Sequence, residues 1–251
     1  MIKILISGAL GKMGRNVLSA IKENPEFTAI CGVDRVEDLS VSDFPIYDNF
    51  DKVNVDVDVV IDFSAPQTLD GILKFIKKTG ACAVLCSTGY TGQDIEKINQ
   101  ASKNNAIFRS ANMSLGVNVL IELVKTAVKN LSGFDVEIIE KHHNMKVDSP
   151  SGTALMLADA VKSVDKDKFY VYGRSGQVGK RNQNEIGIHA IRGGNIVGEH
   201  DVVFAGTDEV ITLSHHASDR KIFAFGALKA ASFIYGKKSG LYDMSDVIRS
   251  K

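Results

Sequence analysis

The chain has 251 residues, 30 basic against 30 acidic side chains and 44% hydrophobic content, with only 24% charged residues. That composition buries a core and excludes a disordered chain, and the absence of a basic excess removes the electrostatic footprint that general nucleic-acid or anionic-membrane binding needs. At roughly 100–200 residues per domain the length allows one domain or two, and a small molecule is the expected ligand.

In chain order, the periodicity predicts a strand over Ile2 to Ser7, a helix over Lys12 to Glu23, and strands over Phe27 to Val33 and Val57 to Phe63. A helix from about Gln67 to Thr79, a strand over Ala81 to Ser87, a helix from about Gln93 to Asn104 and a short strand at Ala106 to Arg109 follow. Short β-branched runs alternating with helices specify a doubly wound parallel sheet. After Asn112 the rhythm changes. Leu115 to Asn130 reads as a long helix, Phe134 to Lys141 as a strand and Thr153 to Val164 as a helix. Strand-like runs near Ile186 to Ile191, Asp201 to Phe204 and Val210 to Ser214 have hairpin-length connections, which predicts a mixed or antiparallel sheet. The polar, glycine-rich stretch from Gly173 to Glu185 is long for a plain connection; it reads as a lid, an oligomer contact or a solvated loop. Helical periodicity returns from about Arg220 to Tyr235. The expected division is a domain over 1–112, with 220–251 packing back on it, and a second α+β domain over 113–219.

No apolar run approaches the roughly 20 residues that span a bilayer, and no leader pattern precedes Ile2, so a cytoplasmic location is expected. Three cysteines argue against a secreted disulfide framework. If Ala81 to Cys86 is a strand, Cys82 and Cys86 stand roughly 13 Å apart, too far to share a tetrahedral zinc. The adjacent pairs His142-His143 and His215-His216 lack metal-ligand spacing, so no metal site is expected. His189 and His200 are isolated in the chain and read as surface or hydrogen-bonded residues.

Gly8-Ala9-Leu10-Gly11-Lys12-Met13-Gly14 follows the first strand and opens a helix. Glycines there permit a tight turn and close backbone approach, so a pyrophosphate can sit at the positive end of the helix. Leu10 stands where the dinucleotide fingerprint has its second glycine. Asp34, twenty residues beyond Gly14, ends the second strand and can accept hydrogen bonds from ribose hydroxyls. A structural glycine turn with a surface aspartate is the plainer alternative. Arg35, assisted by Lys12, can instead pair with the 2'-phosphate of NADPH, so use of both NADH and NADPH is expected.

The densest chemistry lies in Glu140-Lys141-His142-His143-Asn144-Met145-Lys146-Val147-Asp148-Ser149-Pro150-Ser151-Gly152-Thr153. Two imidazoles can exchange a proton near neutral pH, and Lys146 adds a cation. Ser151 is a natural helix N-cap, leaving the N–H groups of Gly152 and Thr153 to receive a carboxylate. A helix start flanked by structural histidines is the bland alternative.

These residues resemble the 4-hydroxy-tetrahydrodipicolinate reductase (dihydrodipicolinate reductase) family nearly end to end. The resemblance runs through the glycine loop, Asp62-Phe63-Ser64-Ala65-Pro66, Ser87-Thr88-Gly89-Tyr90, Ala111-Asn112-Met113-Ser114-Leu115-Gly116-Val117-Asn118 and Glu140 to Thr153. It continues in Arg192-Gly193-Gly194-Asn195-Ile196-Val197-Gly198-Glu199-His200 and Ser239-Gly240-Leu241-Tyr242-Asp243-Met244. It implies a Rossmann-like first domain, NADH- or NADPH-dependent reduction of a cyclic imine dicarboxylate in the diaminopimelate and lysine pathway, and a homotetramer built through the second domain. It further implies His142 as proton donor with Lys146 beside it, and substrate contacts at His143, Gly152 and Thr153. Cofactor positions fall on Gly8, Ala9, Leu10, Gly11, Lys12, Met13, Asp34, Arg35, Cys86, Ser87, Thr88, Ser110, Ala111, Asn112 and Met113. Where the family commonly has Gly-Thr-Thr-Gly, this chain has Cys86-Ser87-Thr88-Gly89, and Ser64 replaces a threonine. Two other readings share the glycine loop: a dehydrogenase of a small amino acid such as aspartate or homoserine, and a dinucleotide sensor without turnover.

Overall fold

The computed structural model describes residues 1–35 and 44–250. The chain forms two compact units, one of Met1–Ser114 with the segment from Arg220 onward, the other of Leu115–Asp219.

The first unit opens with β1 (Ile2–Ser7), α1 (Lys12–Lys22), β2 (Phe27–Val33) and the two-residue β3 (Ile46–Tyr47). A 3₁₀ turn at Phe50–Lys52 leads to β4 (Val59–Asp62). A second at Pro66–Thr68, whose last two residues the periodicity had placed at the start of a helix, precedes α2 (Leu69–Thr79). Pro66 stands at the start of that turn, where its missing N–H costs nothing. Next come β5 (Cys82–Leu85), α3 (Gly92–Ser102) and β6 (Ala106–Arg109). Thr91 and Asp94 cap α3 reciprocally, satisfying two end N–H groups.

In the second unit α4 (Leu115–Asn130) and α5 (Gly152–Val164) pack together on a sheet. Its strands are β7 (Asp135–His142), β8 (Phe169–Tyr172), β9 (Glu185–Arg192), β10 (Gly198–Ala205) and β11 (Val210–Ala217). The chain returns to the first unit with α6 (Lys221–Ile234), β12 (Gly240–Tyr242) and α7 (Met244–Arg249). β3, β8, β12 and α7 went unpredicted; all are shorter than the windows in which periodicity registers.

The first sheet runs β12-β6-β5-β4-β1-β2-β3, with every pairing parallel. Its strands are apolar on both faces, as a sheet covered by helices requires. The chain proceeds outward from β1 in one direction and from β4 in the other, so the switch point lies between β1 and β4, where such sheets bind ligands beyond the carboxyl ends of their strands. α6 lies against α1, β5 and β6, and a Cβ at Gly226 would meet the Met113 carbonyl oxygen at 1.7 Å.

The second sheet is mixed, in the order β11-β10-β7-β9-β8. β10 and β11 form the expected antiparallel hairpin, but the short 193–197 connection does not make one. β9 pairs parallel and β10 antiparallel with β7 between them. The connection therefore crosses the end of β7, where Gly193 N–H donates to the His142 carbonyl at 2.9 Å and Asn144 N–H to that of Gly194 at 3.2 Å. Val136 and Ile138 of β7 pack beneath Leu120, Val124, Leu157 and Val161, a core in which one large-to-small replacement costs about 2–5 kcal/mol.

Candidate functional site

In the first unit, Gly8 takes a left-handed φ of +78°, and a Cβ there would lie 3.0 Å from the Phe63 carbonyl oxygen. At Gly14 a Cβ would sit 2.2 Å from the Gly8 oxygen. These two glycines fold the loop onto the start of α1. Gly11 caps that helix without a side-chain bond, and the first turn of the helix carries no acid. Ala9 is buried against Gly32 of β2, Leu10 and Met13 are half-buried, and Lys12 is exposed. Asp34 Oδ2 accepts the Leu10 N–H at 2.8 Å and Oδ1 that of Arg35 at 2.7 Å.

A cavity of about 780 Å³ opens at the switch point, lined by Gly8, Leu10, Gly11, Asp34 and Arg35 together with Phe63, Ser64, Ala65 and Thr68. These residues suit a dinucleotide: a glycine cradle that any Cβ would fill, a bare helix N-terminus for pyrophosphate, and a carboxylate with a guanidinium for the ribose end. Cys86, Ser87 and Thr88 follow β5, and Ser110, Ala111, Asn112 and Met113 follow β6, along the same edge of the sheet but outside that cavity. Ser110 Oγ donates to the Asn112 carbonyl at 2.7 Å, and Asn112 Oδ1 accepts the Ser114 N–H at 2.9 Å. The Cys86 thiol is buried 3.8 Å from the Val84 carbonyl, and burial together with Asp62 pushes it well above the usual thiol range, so it stays neutral.

Sequence reasoning missed Asp62. It is fully buried at the end of β4, and it accepts from Ser64 Oγ and N–H, from Ser87 Oγ at 2.6 Å and from the Tyr90 hydroxyl at 3.4 Å. One carboxylate thus joins the loops after β4 and β5. The signal was an acid closing an apolar strand, because a buried carboxylate persists only where donors satisfy it.

In the second unit, β7 alternates outward and inward side chains, which places Glu140 and His142 on the same inner face. Glu140 is 0% exposed and His142 is 9% exposed. The Glu140 carboxylate lies 2.7 Å from His142 Nδ1, accepts two bonds from Arg192 at 2.7 and 2.8 Å, and accepts the Ser151 N–H at 2.9 Å. Burial works to raise the Glu140 carboxyl, but the bonds from Arg192, His142 and Ser151 outweigh it, so Glu140 is held below its usual range and ionised. His142 is displaced downward, burial outweighing the attraction of Glu140. His142 Nε2 lies 3.0 Å from where a Cβ would stand on Gly198, so only glycine leaves that edge of the ring uncrowded.

His200 belongs to this cluster. Its ring crosses that of His142 edge-on with centroids 5.2 Å apart, its Nε2 lies 3.0 Å from Ser151 Oγ, and burial followed by His142 holds it down to about 4. Ser151 Oγ caps α5 by accepting the Ala154 N–H at 3.1 Å. Gly152 and Thr153 form the first turn of α5, which carries no acid, and the space beside the Gly152 Cα is open. Lys146 Nζ pairs with Asp148 at 2.8 Å, and Arg192 Nη2 donates to the Asp148 carbonyl at 2.8 Å. His143 is half-buried just beyond the strand. The segment thus gathers His142, Lys146, Gly152 and Thr153 around the end of β7 and the head of α5.

A glycine loop at the switch point of a parallel sheet, with an acid closing β2, defines the Rossmann-like class of dinucleotide-binding proteins. Residues 2–113 match the family model described as dihydrodipicolinate reductase, N-terminus, and residues 116–248 the one described as its C-terminus. The chain is 53% identical over 250 residues to the 4-hydroxy-tetrahydrodipicolinate reductase of Caldanaerobacter subterraneus subsp. tengcongensis, covering 99% of each. It is 49% identical over 252 residues to that of Clostridium tetani, covering 100% of this chain and 98% of the relative. A dipicolinate-bound dihydrodipicolinate reductase from Paenisporosarcina sp. TG-14 shares the fold, with a TM-score of 0.83 at 22% identity over 97% of each chain. The chain belongs to the dihydrodipicolinate reductase family.

Proposed function

We propose that this chain converts 4-hydroxy-tetrahydrodipicolinate, a cyclic imine dicarboxylate, to tetrahydrodipicolinate in the diaminopimelate and lysine pathway, the hydroxyl leaving as water and NADH or NADPH supplying the reducing equivalents. One observation carries the assignment of roles: a single buried carboxylate, Glu140, touches both the His142 imidazole and the N-cap of α5. That ties a proton-transfer group to a carboxylate-binding helix end, beside the ammonium of Lys146.

In this reading Gly8, Ala9, Leu10, Gly11, Lys12 and Met13 receive the pyrophosphate, Asp34 the ribose hydroxyls, and Arg35 the 2'-phosphate of NADPH. Cys86, Ser87, Thr88, Ser110, Ala111, Asn112 and Met113 hold the nicotinamide end. The nicotinamide supplies the hydride when bound. Lys146 and the N–H groups of Gly152 and Thr153 hold the substrate carboxylates, with His143 as a further contact. Lys146 exchanges Asp148 for one of them, a trade between equal charges that favours the better-buried partner. Once the 4-hydroxyl has left with a ring proton as water to give the conjugated imine, His142 keeps its Nδ1 proton on Glu140 and gives up the proton on Nε2 to the ring carbon next to the one that takes the hydride, so the working acid is the imidazolium.

Mixing NADH with the cyclic imine and following absorbance tests the reading. Oxidation of NADH supports it. Binding without oxidation favours a dinucleotide sensor, and turnover only with aspartate or homoserine favours the dehydrogenase alternative.

We place the protein in the cytoplasm as a homotetramer joined through the second unit. No helix among the described residues is long and apolar enough to cross a membrane. Ile191 and Val210 leave the second sheet with exposed apolar side chains that a neighbouring subunit would cover. Light scattering at four times the 27.2 kDa chain mass supports the tetramer, and a monomeric mass refutes it.

A further inference from the structure

We propose that Glu140 is the positioning residue of the second unit, fixing the His142 imidazole and the N-terminus of α5 in one relation to each other. The inference deepens the reading above and rests on it for its catalytic meaning. Glu140 is fully buried and meets donors from three separate places: His142 on its own strand, the Arg192 guanidinium from the end of β9, and the Ser151 N–H at the head of α5.

Each bond has a separate consequence. An ionised carboxylate only accepts, so the ring nitrogen 2.7 Å away must carry a proton. Neutral His142 is thereby the Nδ1–H tautomer, and Nε2 is the position that gains and loses the exchangeable proton. The Ser151 N–H at 2.9 Å sets where α5 begins, and hence where the N–H groups of Gly152 and Thr153 point. Arg192, gripping both oxygens and also the Asp148 carbonyl, prevents the carboxylate from turning and extends its hold to the loop bearing Lys146.

The charged and titratable groups around His142 are Glu140 from β7, Arg192 from β9, His200 from β10 and Lys146 from the loop. Among them only Glu140 favours the imidazolium. Removing its charge destabilises the acid form, and removing its acceptors frees the head of α5. A brace that merely filled space would do neither.

Glu140→Gln keeps the volume but puts an NH₂ in place of one oxygen, against the Arg192 guanidinium and either the His142 Nδ1–H or the Ser151 N–H. We expect at least tenfold lower kcat at neutral pH, a limb of the kcat profile moved to lower pH, and a KM for the cyclic imine raised at least fivefold. NADH affinity, measured by fluorescence without substrate, stays within twofold because its groups lie in the other unit. A lower melting temperature with an unmoved pH limb and unchanged KM would overturn the proposal. If the variant does not fold, ¹⁵N-histidine NMR on the wild-type enzyme decides: His142 as the Nδ1–H tautomer above its pKa supports the proposal, and the Nε2–H tautomer overturns it. His142→Asn separates the two ideas. Near-wild-type turnover in that variant defeats the reading of His142 as the acid, whereas the tautomer still reports on Glu140 alone.

Discussion

Asp34 accepts the backbone N–H of Leu10 at 2.8 Å, which ties the acidic end of β2 to the glycine loop after β1. Asp34→Ala loses this bond and, with it, the proposed ribose acceptor. Charge-assisted hydrogen bonds of about 1.5–3 kcal/mol correspond to roughly 10–150-fold weaker NADH binding, readable by fluorescence titration. Arg35→Ala is expected to weaken NADPH selectively. Wild-type kcat/KM values for the two cofactors are expected within about a thousandfold, a difference of about 4 kcal/mol, and a larger gap refutes dual use.

Gly14→Ala places a methyl group 2.2 Å from the Gly8 carbonyl oxygen and 2.7 Å from that of Ala9, both of them backbone atoms. Neither can move without opening the loop. The cost is expected to reach or exceed the roughly 1–3 kcal/mol of ordinary overpacking, seen as a lower melting temperature and a loss of NADH-induced stabilisation. Unchanged cofactor binding would show that the loop has slack.

Asp62→Ala removes the acceptor shared by Ser64, Ser87 and Tyr90 and leaves their hydroxyls seeking partners in a buried site. Stability is expected to fall by about 1–3 kcal/mol per buried polar group left unsatisfied, with KM for NADH rising more than KM for the imine. An equal rise in both would mean that the two loops do not act on the cofactor.

Arg174, Arg181 and His189 all converge on Glu137, whose carboxyl is taken from the ordinary 4.5 down to about 2, burial opposing and those bonds outweighing it. Its folded-state value is depressed, so its stabilisation is present above about pH 4.5 and is lost as pH falls towards 2. Melting temperatures across that window should fall less steeply for Glu137→Gln than for wild type. Parallel slopes would show that the loop of 173–185 is held by other means.

The parallel sheet was legible because β-branched strands alternating with helices leave few alternatives, and α4 and β6 were placed at their observed ends. The site was legible where it is local. Ser151 announces a helix start, whereas the shared face of Glu140 and His142 went unread because the expected strand stopped at Lys141, one residue short of the observed end of β7. Arg192 and His200 were not legible either, because neither is near His142 in the chain. Register brings them there: His142 is opposite Arg192 on β9, and Glu140 is opposite His200 on β10. That register depends on β7 lying between two strands joined by a short connection, an order that hydrophobic pattern alone does not encode.

The bound state of His142 gives the pH dependence a sign. Burial sets the free ring below the usual 6.5, while a dicarboxylate beside it favours the imidazolium. The limb seen in kcat is therefore expected at higher pH than the same limb in kcat/KM, which reports the free enzyme. Coincident limbs would mean that the substrate's charges lie far from the ring.

A crystal structure of the ternary complex with a nicotinamide cofactor and a cyclic dicarboxylate tests the central claim most directly. One carboxylate is expected on the N–H groups of Gly152 and Thr153, with the Lys146 ammonium within hydrogen-bonding distance of a carboxylate and His142 Nε2 facing the ring. A ring bound with His142 turned away and no ammonium near either carboxylate would contradict it.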